Sequence, residues 1–188
     1  MKITDNTVFQ ISQELYRQVW GHLLFAESRT EEAAFVFAKS RRSGTSLVFQ
    51  AEETYLVPST GFAHQSGYYL ELTDETRALV IKRAHDLGSC LVELHSHIGP
   101  YPPRFSSSDL AGFEEFVPHV RWRLKQKPYA AIVVGQKGFD GFAWEKDSST
   151  PARLQAIEVV GKIKLRATAL TPLRTDFQRR SKDEQHQI

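Results

Sequence analysis

Residues 93–109, ELHSHIGPYPPRFSSSD, decide how this chain reads. Just before and into this stretch, Cys90–Leu94 forms a short, mostly apolar run, which predicts a strand ending at His95. Side chains two apart on a strand point the same way, so His95 and His97 converge on one point. Two neutral imidazoles on one side begin a zinc site without completing it. Asp109 is the natural third donor, placed where a helix is expected to start, after a loop stiffened by Pro100, Pro102 and Pro103. Three protein ligands leave the fourth position for water, which a hydrolytic zinc needs. A plainer reading stands beside this one. An isolated His-x-His is weak, and Ser106-x-x-Asp109 before an apolar helix is close to a capping box.

Outward from this stretch, helical and strand periods interleave. Leu15, Val19, Leu23 and Ala26 recur at helical steps behind the cap candidate Ser12. Ala33–Ala38, Ser46–Gln50, Thr54–Val57 and Tyr68–Leu72 read as strands, with a loop over Pro58–Gly67. A helix capped by Thr73, with Asp74 and Glu75 in its first turn, runs to Gly88 on an apolar stripe of Leu79, Val80, Ala84 and Leu87. The helix opened by Ser106–Asp109 is expected to stop near Pro118. Tyr129–Val134 and Gly141–Trp144 form a hairpin, and Leu154–Val160 is helix or strand. The irregular alternation predicts an α/β fold, a mixed sheet flanked by helices. Residues 1–150 are expected to form one domain, 151–171 an extension packing on it, and 172–188 a polar, flexible tail.

The chain has 188 residues, 41% hydrophobic and 24% charged, enough for one domain with a real core and short for two. A net charge of +2 with both signs mixed points to no nucleic-acid partner. No apolar stretch approaches the roughly 18–20 residues that span a bilayer. The start MKITDNTVFQ lacks a signal-peptide run, and the single Cys90 cannot pair internally, which together predict a cytoplasmic setting. Cys90 reads as a core residue. His22, on the N-terminal helix, reads as a packed or surface histidine, and His64, His85 and His119 lack spaced partners. Trp122 among Arg121, Arg123, Lys125 and Lys127 reads as a solvated face, with docking of an acidic partner as the alternative. Glu93 shares the side of His95 in a regular strand, where it is a candidate support for the histidines or a salt-bridged glutamate.

His95-Ser96-His97 followed by Ser106-Ser107-Ser108-Asp109 resembles the signature of the JAMM/MPN (Mov34/PAD-1, prokaryotic JAB) zinc metalloproteases. The family also carries a glutamate at the start of a strand after the N-terminal helix. In RTEEAAFVFA that place falls to Glu32, which the apolar strand follows at once, with Glu31 as the alternative. The resemblance covers roughly residues 3–146 and includes the order of elements and the closing hairpin GFDGFAW. Two departures are visible: Ile98 stands where a proline commonly follows the second histidine, and the loop from Ile98 to Phe105 is one residue longer than usual.

The resemblance implies a single-domain JAMM/MPN-like (cytidine-deaminase-like) fold and one Zn²⁺ held by His95, His97 and Asp109. It implies Glu32 as the base and Ser106 as donor to the oxyanion. The implied activity is an isopeptidase or peptidase acting on the amide at the C-terminus of a ubiquitin-like protein or its conjugate, with an associated activating enzyme as a further partner. Two other classes compete: a non-catalytic MPN-like scaffold that binds a partner, and a different His-x-His metal hydrolase.

Overall fold

A computed structural model of the chain describes residues 6–145, 150–161 and 163–173. Its elements are β1 (Asn6–Ile11), α1 (Gln13–Leu23), β2 (Ala33–Ser43), β3 (Ser46–Leu56), β4 (Phe62–Gln65), β5 (Leu70–Leu72), α2 (Asp74–Asp86), β6 (Cys90–Ser96), α3 (Ser107–Arg123), β7 (Tyr129–Gly135), β8 (Gly138–Trp144), β9 (Ala152–Arg153), β10 (Ala156–Val159) and β11 (Ile163–Arg166). Among the described residues nine strands form one mixed sheet in the order β11-β10-β1-β3-β2-β6-β7-β8-β9, and β4 and β5 pair separately. The sheet curls, so that Thr168 beyond β11 donates to the carbonyl of Phe139 on β8. This is the α/β architecture expected from the sequence.

Period-2 alternation sorts the core onto two faces. Ala34, Val36 and Ala38 of β2, Val92 and Leu94 of β6, and Ile132 of β7 pack with Val19 and Leu23 of α1. Ala33, Phe35 and Phe37 of β2, Leu91 of β6 and Val133 of β7 pack instead with α2 and α3, through Val80, Ala84, Phe113 and Val120. Because β6 and β7 lie inside the sheet with both faces covered, they read as nearly continuous apolar runs. Glu93 and His95 break the run on the α2/α3 face.

Local signals placed most helix ends correctly. Ser12 and Thr73 cap α1 and α2 by accepting the N–H groups of Leu15 and Thr76. Gly88, at φ +59°, follows α2 in the left-handed conformation that glycine adopts without penalty. Three expectations need correction. α3 does not stop at Pro118 but runs through it to Arg123. An interior proline costs about 3 kcal/mol, whereas burying Val117, Val120 and Leu124 stabilises by roughly 1.5–3 kcal/mol each. The expected strands Ser46–Gln50 and Thr54–Val57 merge into one, β3, which ends at Leu56, with a register shift opposite Phe37 and Ala38 that absorbs one residue. Leu79 is 45% exposed, and the buried face of α2 is Thr76, Val80, Ile81 and Ala84.

Several strands carried too short or too ambiguous a signal to be assigned, among them β4 (Phe62–Gln65), which lies inside the stretch Pro58–Gly67 expected as a loop. β1 joins the sheet beside β3, and Leu154–Val160 yields the strand β10 next to it. β10 and β11 therefore extend the sheet at this edge, and β9 at the other. The expected tail at 172–188 lies outside the described residues except for Pro172 and Leu173.

Candidate metal centre and its cleft

β6 ends at Ser96, and its α2/α3 face carries Glu93 and His95 with His97 one step beyond. The His97 N–H donates to the carbonyl of Val134 on β7, so the strand geometry continues through the second histidine. His95 Nε2 and His97 Nε2 stand 3.2 Å apart. Asp109, in the first turn of α3, brings Oδ2 to 3.3 Å from His97 Nε2 and Oδ1 to 3.6 Å from His95 Nε2. Ligand atoms of the three residues all lie within 4.8 Å of one another. A tetrahedral zinc with bonds near 2.0–2.1 Å sets its ligands about 3.3 Å apart, close to the 3.2 Å between the imidazoles and the 3.3 Å from His97 to Asp109 Oδ2. His95, His97 and Asp109 can hold a metal ion.

The charges fit the same picture. Burial would lift the Asp109 carboxyl, but hydrogen bonding to His95 and His97 overrides it and holds the group well below the usual carboxylate range. Burial works to lower His95, and Asp109 reverses this, leaving the imidazole above its ordinary value.

The carboxylate beside this group is Glu31, not Glu32. Glu31 Oε1 lies 3.8 Å from His97 Nε2, and the residue is only 6% exposed. Burial raises its carboxyl, against the pull of His97 and His95. Pairing parity explains the correction. Ala33 stands opposite His95, so Glu31, two residues earlier, shares the face of the histidines, and Glu32 faces the opposite side. There Glu32 accepts from Ser28, Thr30 and Gln65 and lies 4.0 Å from His22 Nε2. Its backbone is locked to Ser96, whose N–H donates to the Glu32 carbonyl and whose Oγ accepts the Glu32 N–H. His22, expected as a packed or surface histidine, also donates to the carbonyl of Ala33.

Ser106 is used differently from the expected oxyanion donor. Its Oγ accepts the Asp109 N–H at 3.1 Å and donates to Asp109 Oδ2 at 2.7 Å, while its own N–H donates to Oδ2 at 2.7 Å. The capping box and the metal candidate are therefore the same structure. The cap orients the carboxylate that meets the histidines.

Sequence reasoning passed over three supports. Gln65, at the end of β4, donates to both the Glu31 carbonyl and Glu32 Oε2, and the Glu31 N–H donates to the carbonyl of Ser66. The loop between His97 and Ser106 is tied to the chain's later part, since Phe105 N–H donates to Thr171 Oγ1 and Thr168 Oγ1 donates to the Pro103 carbonyl. Thr171 is fixed in turn by the wholly buried Asp140, which accepts its N–H. An aspartate inside the apolar hairpin GFDGFAW was the available signal, because a buried carboxylate needs partners.

The group opens into a cleft of about 710 Å³ between β5, α2 and α3. Glu31, His95 and Asp109 lie along it, with Tyr69, Leu70 and Leu72 on the β5 side. Glu93 lines it further along β6, and Tyr129 donates a hydrogen bond to Glu93 Oε2. Cys90 is buried in the core, its thiol pushed up to about 12 by burial, which makes it inert as a nucleophile. Trp122 is 65% exposed with the Arg123 guanidinium over its ring. Among the described residues no helix is long and apolar enough to cross a membrane.

Fold and site together define a mixed α/β protein carrying a His–His–Asp group suited to a metal ion. Compared with models of known protein families and with curated protein sequences, the chain matches none.

Proposed function

We propose that this chain is a zinc-dependent peptidase of the JAMM/MPN kind, hydrolysing the amide bond at the C-terminus of a ubiquitin-like protein. One observation carries the reading: His95, His97 and Asp109 converge with the Glu31 carboxylate 3.8 Å from His97 Nε2, and Glu31, His95 and Asp109 line a cleft. Zinc in this site would supply an acidified water and a polarised substrate carbonyl. Glu31 Oε1 takes the proton of the attacking water and returns it to the leaving nitrogen, a role favoured by a carboxyl raised through burial. Ser106 holds Asp109 in its ligating orientation through the capping box. The loop anchors at Thr168 and Thr171 hold the backbone between the second histidine and the third ligand.

The cleft suits an extended substrate. Among the described residues β5 is paired on one side only, by β4, and Leu70 and Leu72 line the cleft. A C-terminal tail lying along β5 as an added strand would deliver its last amide toward the histidines. Gln65 and Ser66, at the end of β4, join that hairpin to the backbone of Glu31.

The test is direct. Purified protein is assayed for metal content and for cleavage of a fusion whose scissile amide follows the C-terminus of a ubiquitin-like protein. About one zinc per chain with cleavage abolished by a chelator supports the reading. Bound zinc without cleavage favours the scaffold, and hydrolysis of phosphoesters alone favours another metal hydrolase. Absence of metal binding refutes the proposal.

A further inference from the structure

The proposed reaction leaves Glu93 unused, although it stands in the same cleft. Glu93 and His95 project from one face of β6, which sets them about 7 Å apart along the strand. Ala78 and Ile81 of α2 and Gly112 and Phe116 of α3 line the same cleft as Glu93. A Cβ placed on Gly112 would meet nothing within 4 Å, so this wall stands open. The Tyr129 hydroxyl fixes one carboxyl oxygen of Glu93, and the other takes no partner among the described residues. That oxygen stands ready to accept a donor entering the cleft.

We propose that the part of the cleft beside Glu93 is a pocket for a cationic side chain, Lys or Arg, flanking the scissile amide, with Glu93 Oε1 accepting its N–H group. The pocket rests on the metal-centred reading above, because the metal end defines where the scissile bond lies. A carboxyl oxygen accepts an N–H donor with or without its own proton, so recognition at Glu93 does not depend on its ionisation. The surroundings choose the sign. Glu71, Asp74 and Glu115 also line the cleft, against one arginine, Arg77, which pairs with Asp74 at 3.3 Å and whose charge also acts on Glu93, and one histidine, His119. Ala78, Ile81 and Phe116 would cover the aliphatic stem of a long basic side chain while its head reaches the carboxyl.

The experiment uses the zinc-loaded full chain and three probes, the hydroxamates of lysine, norleucine and glutamic acid. Each anchors at the metal and leaves only its side chain to discriminate, so no peptidase activity is required. Lysine hydroxamate is expected to bind about tenfold or more tighter than norleucine hydroxamate, the scale of a charge-assisted hydrogen bond. Glutamic acid hydroxamate should bind weakest. Glu93→Leu should erase the lysine advantage over norleucine, and Glu93→Gln should keep part of it. Equal binding of lysine and norleucine by the unchanged chain overturns the pocket, as does a lysine preference that survives in Glu93→Leu. Should Glu93→Leu fail to fold, the ranking by the unchanged chain and the Glu93→Gln result still decide. A chain that holds no zinc overturns the metal reading itself, and the pocket with it.

Discussion

Replacing Glu31 by glutamine separates the two adjacent glutamates more sharply than any other change. Glu31 is 6% exposed with one carboxylate oxygen 3.8 Å from His97 Nε2. Glutamine preserves its shape and the backbone bonds from Gln65 and to Ser66, and removes only the capacity to take a proton. General acid–base catalysis contributes about 10²–10⁴-fold, or roughly 2.7–5.4 kcal/mol of barrier. Glu31→Gln should therefore lose about 10²–10⁴ in kcat while keeping its zinc, because the three ligands are untouched. Glu32→Gln makes the matched control. Its carboxylate holds Ser28, Thr30 and Gln65 on the far face of β2, so the loss should fall on stability, about 1–3 kcal/mol, with kcat changed less than about tenfold. Cleavage of the ubiquitin-like fusion, metal content and thermal melting on the same preparations give the three readouts. If Glu32→Gln loses activity at full zinc and normal melting temperature while Glu31→Gln cleaves normally, the parity argument is wrong.

Three further expectations follow from the same geometry. His97→Ala should abolish zinc binding and cleavage together, which metal analysis of the purified variant checks. Ser106→Ala removes the α3 cap and one support of Asp109, so it should cost about 0.5–2 kcal/mol in unfolding free energy and also weaken zinc affinity; unchanged affinity would separate the cap from the metal. The metal-free protein should be most stable in mildly acidic solution. His95 and Glu31 are both raised in the folded state, so their contributions are complete below their unfolded values and decline as pH rises through the folded ones. Asp109 is lowered, so its contribution is present above its unfolded value and is lost as pH falls through the folded one. Unfolding curves of the metal-free chain should thus show stability falling above about pH 6.5, and a flat profile there would count against the His95–Asp109 interaction.

Much of the site was legible because its signals are local. The spacing of His95 and His97 on a strand places both imidazoles on one side by backbone geometry alone. Ser106 and Asp109 announce a helix start three residues apart, and the same spacing that makes the capping box aims the carboxylate. The caps Ser12 and Thr73 and the glycine after α2 are likewise decided within a few residues. Pro118 misled because the signal against a helix there is local, whereas the reason the helix continues is the burial of Val117 and Val120 against β-strands far along the chain.

What the sequence determined by itself, then, was the residue set His95, His97 and Asp109, and the alternation of α and β elements that carries it. Tertiary structure alone decided which glutamate faces that set. A criterion of adjacency favours Glu32, but the pairing of Ala33 with His95 fixes the face on which each side chain stands, and a shift of one residue reverses it. Tertiary structure also joined Gln65 to Glu31, and Thr171 and Asp140 to the metal-site loop, through hydrogen bonds spanning 31 to 66 residues. Nothing local in the sequence encodes such pairs, because they depend on where the curled sheet brings separate strands together.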